Sequence, residues 1–330
     1  MVFFKTFRLG VFASIGFVAT SFVVAGAAFA QAWPAKPVNL IVPFPAGGGT
    51  DAFARPLSAQ FSKQTGKQLI IDNKGGAGGT VGASLAAKAA PDGYTFFMGA
   101  VHHAIAPSMY PKLDYNIETD LVPVLLVAKV PQVVVVNPSK VAARDYKAFM
   151  AHLKANPGKL NYGSAGNGTS HHLAGELFKL NTGSFITHIP YRGAGPALQD
   201  LLAGSVDMMF DGLGSSAQHI RNNRIVPLLV ASAQRVPAFP NVPTATELGI
   251  KNYDVSTWYG LWAPKGTPQE AIDRMRDEAT RAIQSADLKR IWDGAGADFS
   301  PNSQAEFGRF IAAEIKRWGE VVKASGAKLD

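Results

Sequence analysis

The 330-residue chain contains no cysteine, which excludes a disulfide framework and any lipid-modified cysteine near its N-terminal end. Neither of its first two glycine clusters ends in Gly-Lys-Ser/Thr, so there is no phosphate-binding P-loop; Gly-x-Ser-x-Gly and His-Glu-x-x-His are also missing. Enzymatic chemistry therefore has little support. After residue 30 no stretch is long and apolar enough to span a bilayer. Acidic residues are the scarcer sign, 24 against 32 basic, giving a net charge of +8. That excess is dispersed: Lys289-Arg290, Lys316-Arg317 and Arg221 to Arg224 are short and read as solvated helix faces, so nucleic acid is not an expected partner. A mild positive charge does favour the approach of small anions.

Lys5 and Arg8 precede a long apolar run that ends in Ala28-Phe29-Ala30, just before Gln31 and Pro34. This is the pattern of a secretory signal peptide over residues 1–30 with an A-x-A cleavage site. An uncleaved anchor is the competing reading, because Leu9 to Ala30 is about long enough to cross a membrane. Ser14, Gly16, Thr20, Ser21 and Gly26 within the run, and its small-residue exit, favour cleavage. Removing the leader takes away two basic and no acidic residues and leaves +6. The rest has room for about two domains of roughly 150 residues each.

From Pro37 short β-branched runs alternate with amphipathic segments: strand 38–43, helix 50–64, strand 68–72, helix 79–90, strand 94–99. Such alternation predicts a parallel, doubly wound α/β sheet with helices on both faces. A second α/β unit begins after Val133 to Val136, with a helix over 144–155, a strand at 160–163, a helix through Leu173 and Phe178, and further strands near 185–190, 206–210 and 225–231. Ser256 to Ala263 reads as a buried strand. Thr267 to Glu270 and Ser303 to Glu306 are S/T-x-x-E capping boxes that open long helices. The simplest geometry returns this tail to the first unit, with chain crossings near 131–137 and 253–260 forming a hinge.

Val38-to-Arg55 and Leu69-to-Gly82 each run an apolar strand into a glycine cluster that opens onto a helix. Glycines let successive N–H groups converge, and a helix start adds partial positive charge, so both clusters are candidate anion cradles. On a doubly wound sheet, ligands bind beyond the carboxyl ends of the strands, where both clusters fall. Gly47-x-Gly49-x-x-Ala52, with Asp72 at the end of the next strand, also satisfies the loose dinucleotide fingerprint. Pro43 and Pro45 widen that loop beyond a tight dinucleotide turn, and export would remove the chain from cytoplasmic nucleotides. A third small-residue loop spans Gly163 to Thr169. Asp211 follows the strand 206–210, and Tyr191-Arg192-Gly193 could offer a phenol and a guanidinium to a carboxylate. Two histidine pairs, His102-His103 and His171-His172, with Glu176 on the face of His172, raise metal ligation; the spacing places no third ligand, and no metal is expected. Trp258 and Tyr259 read as core or hinge packing.

PVNLIVPFPAGGGTDAFAR, GGAGGTVGA with PDGYTF, KANPGKLNYGSAGNGTSHHLAGELFK, IPYRGAGPALQDLLAGSVDMMFD and VPTATELG with GLWAPKGTP together resemble the substrate-binding proteins of tripartite tricarboxylate transporters, the Bug family. The resemblance runs from Trp33 to the C-terminus. It implies a type II periplasmic-binding-protein fold: two Rossmann-like lobes, residues 31–130 plus 254–330 and residues 131–253, around a ligand cleft with a two-crossing hinge. It also implies a periplasmic, monomeric receptor with no cofactor and no catalytic residue, which passes a small carboxylate to integral-membrane transporter subunits. Carried onto this chain, the glycine loops that grip the carboxylate are Phe44, Ala46, Gly47, Gly48, Thr50 and Asp51 with Ala77, Gly78 and Gly79. Ser164, Gly166, Thr169 and Asp211 would line the opposite lobe, with His102, His103, His171 and Tyr191 the candidates at the ligand's far end, where members of the family vary. Ala46 and Gly75 stand where the family often has proline, which loosens the loops without removing a backbone donor. Two other readings stay open: an exported hydrolase or isomerase using Asp211 with His102 or His171, and a sensor for a signalling partner.

Overall fold

The computed structural model describes residues 1–4 and 33–329. Beyond its first four residues the expected leader lies outside the described residues, and the compact unit begins at Trp33. Strand β1 (Val38–Val42) leads through the first glycine cluster into α1 (Gly49–Thr65). β2 (Leu69–Asn73) leads through a single 3-10 turn, Ala77–Gly79, into α2 (Thr80–Ala87), and β3 (Thr95–Ala100) into α3 (His102–Met109). β1 pairs in parallel with both neighbours, Val38 opposite Leu69 and Asn39 opposite Thr95. Helix α1 forms because Phe53, Leu57 and Phe61 recur every four residues and are buried together on one face. Phe53 stacks on Tyr259 with ring centroids 4.6 Å apart.

The chain then enters β4 (Leu121–Val136), a strand of 16 residues. Through Pro131 it pairs antiparallel with β9 (Ser256–Pro264); from Gln132 onward its partner is β7 (Met208–Gly212), with β8 (Val226–Val230) on its other edge. Between them lie α4 (Tyr146–Ala155), β5 (Asn161–Ser164), α5 (Ser170–Thr182), β6 (Thr187–Pro190), α6 (Ala194–Ala203) and α7 (Leu213–Arg221). β5 runs parallel to β6 and β7. The strand order is β2-β1-β3-β9-β4-β7-β5-β6, with β8 on β4. Helices α8 (Gln269–Ile283), α9 (Ala286–Gly294) and α10 (Gln304–Ser325) complete the unit, α8 packing on α1 and α10 on α3. Where α10 meets β9, Trp258 of the strand and Trp318 of the helix both donate their indole N–H to buried Glu314 Oε2, at 2.7 and 3.1 Å.

Two expectations need correction, and one strand was not among those expected. The sheet is mixed, because β4 and β9 carry the chain out and back and run antiparallel to the strands beside them. The strand not expected is the first part of β4, residues 121–131, which forms despite Pro123 and Pro131; the register shifts beside Pro123, where a missing N–H does least harm. Only one of the two capping boxes forms. Ser303 Oγ accepts from Glu306 N at 3.2 Å while Glu306 Oε2 accepts from Ser303 N at 2.7 Å. At the other, Pro268 takes the cap position, and Thr267 Oγ1 instead donates to the Pro264 carbonyl at 2.8 Å.

Candidate ligand-binding cleft

The loops after β1 and β2 and the C-terminal end of α3 face the loops after β5 and β6 across a cleft, and a cavity of about 360 Å3 lies between them. One wall is Gly76 to Gly79 with Phe44 and Tyr110; the other is Ala165 to Asn167 with Pro190, Tyr191 and Arg192. Gly76, Ala77, Gly78 and Gly79 all have positive φ, at 140°, 44°, 62° and 95°. The run turns the backbone sharply in the way that concave anion sites require. A Cβ on Gly78 would stand 2.5 Å from the Tyr110 hydroxyl and 2.9 Å from the Asn167 carbonyl, so only glycine lets the two walls approach. Behind the loop, buried His103 is held neutral, its imidazole pushed down by burial to about 4. Its Nδ1 lies 3.0 Å from both the amide and the carbonyl of Ala100, and its Nε2 lies 3.3 Å from the Gly79 carbonyl, so the ring bridges α3 to the loop.

The walls are tied by two hydrogen bonds. Tyr110 donates its hydroxyl to Asn167 O at 2.9 Å, and Ser170 N, at the start of α5, donates to His102 Nδ1 at 3.0 Å. Tyr110→Phe removes the first while keeping the ring, and is expected to weaken ligand affinity by about three- to tenfold, near 1 kcal/mol. In stopped-flow measurements the loss should fall on the dissociation rate, with little change in melting temperature.

The first glycine loop is arranged differently. Asp51 is 3% exposed, and its carboxylate accepts from Gly47 N at 3.0 Å, Arg55 Nε at 2.7 Å and Asn73 Nδ2 at 3.2 Å. Asn73 also donates to Phe44 O at 2.8 Å. Asp51 and Gly47 thus clamp the loop onto the neighbouring strand rather than facing the cavity, and Ala46 is exposed outside it. Gly48 and Thr50 line a second, smaller cavity instead, together with Phe44, His102, Ala165, His171, Thr257 and Tyr259. Its volume of about 10 Å3 suits roughly one water.

On the facing lobe, Gly166 lines the larger cavity, but Ser164 and Thr169 turn their hydroxyls inward. Ser164 Oγ sits 2.6 Å from His188 Nε2 and accepts from Gly166 N at 3.0 Å; Thr169 donates to Gly166 O at 2.7 Å and caps α5. Burial and the neighbouring His172 push the His188 imidazole down to about 3. Tyr191 lines the cavity with its ring while donating to Asp200 Oδ2 at 2.6 Å; burial first, then that carboxylate, push its phenol up to about 12. Arg192 is exposed on the same wall, and among the described residues no carboxylate pairs with it.

Asp211 is fully buried behind the small cavity. Its Oδ2 accepts from Ser215 Oγ at 2.7 Å and Ser216 Oγ at 2.5 Å, and its Oδ1 lies 3.5 Å from His171 Nδ1. Burial, outweighing Asp211, keeps the His171 imidazole below its usual range. Among the described residues no three His, Asp or Glu side chains converge as metal ligands. His172 stacks on His188 with centroids 4.2 Å apart, and Asp72, the acid of the dinucleotide fingerprint, pairs with Lys74 at 3.0 Å. Tyr110, Thr257 and Tyr259 were not anticipated as cleft residues. Tyr110 follows α3, a helix the sequence conceals behind its histidine pair and Pro107.

Two α/β half-sheets joined by one shared strand, with glycine loops from both sides meeting over a cleft, define a solute receptor of the type II periplasmic-binding-protein class. No described helix is long and apolar enough to cross a membrane. The chain belongs to the tripartite tricarboxylate transporter family of receptors, whose family model matches residues 53–327. It is 38% identical to Protein BugT of Bordetella pertussis over 315 residues, 95% of this chain and 96% of BugT. A solved R. palustris protein with adipate is 34% identical, with a TM-score of 0.86 over 90% of this chain and 100% of that one. MatC from Rhodopseudomonas palustris with bound malate is 32% identical, with a TM-score of 0.82 over 88% of this chain and 100% of MatC. The family is one of substrate-binding receptors rather than enzymes.

Proposed function

We propose that this protein captures a small carboxylate between its lobes in the periplasm and delivers it, as a monomer, to integral-membrane transporter subunits. The observation that carries this reading is the cavity of about 360 Å3 between the positive-φ loop at Gly76 to Gly79 and the wall bearing unpaired Arg192. Backbone N–H donors to a carboxylate form charge-assisted bonds, and a water-poor cleft strengthens them. Arg192 adds a positive charge at the mouth. The lobes are residues 31–130 plus 254–330 and residues 131–253, and the leader over 1–30 exports the chain. Closure follows when the ligand touches both walls.

Binding without chemistry is favoured by the polar groups themselves. His188 Nδ1 has no partner to orient it as a base for Ser164, and the His171–Asp211 pair faces a space with room for about one water. A thermal-shift screen of the mature protein against mono-, di-, tri- and aromatic carboxylates tests the proposal. A ligand at about one hundred times its dissociation constant adds ~2.7 kcal/mol of stability, so at least one acid is expected to raise the melting temperature by several degrees. A flat screen would sink the substrate class.

A further inference from the structure

The small cavity beside the main one has a polarity that the carboxylate grip does not use. Phe44 and Ala165 line both spaces, so the two adjoin. His102 is buried, and its Nδ1 accepts from Ser170 N, so in the neutral ring the proton sits on Nε2 and that atom is a fixed donor. His171 is also buried, with Nδ1 3.5 Å from Asp211 Oδ1, and neither atom has a hydrogen-bond partner. The negative charge at Oδ1 favours the proton on Nδ1 over a lone pair facing the carboxylate. The opposite nitrogen, Nε2, then carries a lone pair. The rings are adjacent, with centroids 5.8 Å apart.

The wall therefore presents one donor and one acceptor around a space of about 10 Å3. A methylene there would leave both nitrogens unpaired in a buried setting. An ammonium would satisfy His171 but oppose the His102 N–H, and a carboxylate is too large and would face the His171 lone pair. A hydroxyl donates once and accepts, at the right size. We propose that this cavity reads a hydroxyl on the ligand, making the receptor selective for hydroxycarboxylates over their deoxy counterparts. Asp211 acts here as a positioning residue, through the tautomer of His171. The inference rests on the carboxylate reading of the main cavity.

Calorimetry with three matched pairs, malate and succinate, citrate and tricarballylate, mandelate and phenylacetate, tests it on the wild-type protein. In each pair that binds, the hydroxylated acid is expected to bind about tenfold tighter, because its hydroxyl takes both hydrogen bonds without the immobilised water that a deoxy acid would leave in the cavity. His171→Phe, which keeps a ring beside His102, should shrink that ratio toward one. Equal affinities within every bound pair would overturn the inference, with water then the cavity's occupant, and leave the carboxylate reading standing. Failure of all six acids to bind would overturn both. The wild-type ratios decide the matter even if the variant does not fold.

Discussion

Gly78→Val is expected to abolish ligand binding, raising the dissociation constant by at least about 100-fold, near 2.7 kcal/mol, while Lys74→Ala changes it by less than about twofold. Gly78 sits at φ +62°, where a β-branched residue is a strained outlier. Its new Cβ would also meet the Tyr110 hydroxyl and the Asn167 carbonyl from opposite walls. Either effect swings the neighbouring amides away from their point of convergence. Lys74 is exposed and answers only to Asp72, so its loss leaves the loop in place. Isothermal calorimetry with whichever acid the thermal screen identifies measures both variants, with circular dichroism confirming that Gly78→Val remains folded. Comparable losses in the two would show that the grip is a side-chain charge and not the main chain.

The second large effect is expected at Asp51. Replacing it with alanine strands the Gly47 amide and the Asn73 amide group in a poorly hydrated loop and frees Arg55 to solvent. Buried donors left unsatisfied cost about 1–3 kcal/mol each, partly recovered by water at the exposed Gly47. The expected outcome in urea titration is a loss on the order of 2–3 kcal/mol of folding stability, accompanied by a loss of ligand affinity of about tenfold or more as the loop at Phe44 drifts. Asp51→Asn should fall between, since an amide can accept from only one of its two positions. Unchanged stability would mean that the three hydrogen bonds are replaced by water at no cost and that the loop is held elsewhere.

Asp51 also shows how much of the cleft the sequence discloses. The glycine clusters announce themselves because no other residue populates positive φ freely, and they follow strands whose alternation with helices is local. What spacing does not disclose is which way a polar side chain turns. Asp51, Ser164, Thr169 and Asp211 all stand in the expected loops, yet each is engaged by groups of its own lobe, and the cavity walls consist largely of main chain and ring edges. The residues that join the lobes are harder still to foresee: Tyr110 with Asn167 and His102 with Ser170 are separated by 57 and 68 positions. Such pairs arise from tertiary approach, which leaves no periodic trace. The same holds for β4, where two prolines punctuate a strand whose partners lie more than a hundred residues away at β9.

That strand changes partners within a single step. At Pro131 it still faces Ser256 of β9; at Gln132 it faces Gly212 of β7. The Gln132 amide donates to Val255 O at 3.0 Å and its carbonyl accepts from Ala231 N at 2.8 Å, so the changeover carries no slack in the backbone. Gln132 Nε2 adds bonds to Ser170 and Thr257, at 3.0 and 3.3 Å. With its backbone bonded on both sides of the changeover, and with Val255 N donating to Ala231 O at 3.0 Å at the neighbouring crossing, β4 passes from one half-sheet to the other without a loop, so a rearrangement of the two halves that keeps these bonds is taken up by twisting or bending of the strands themselves.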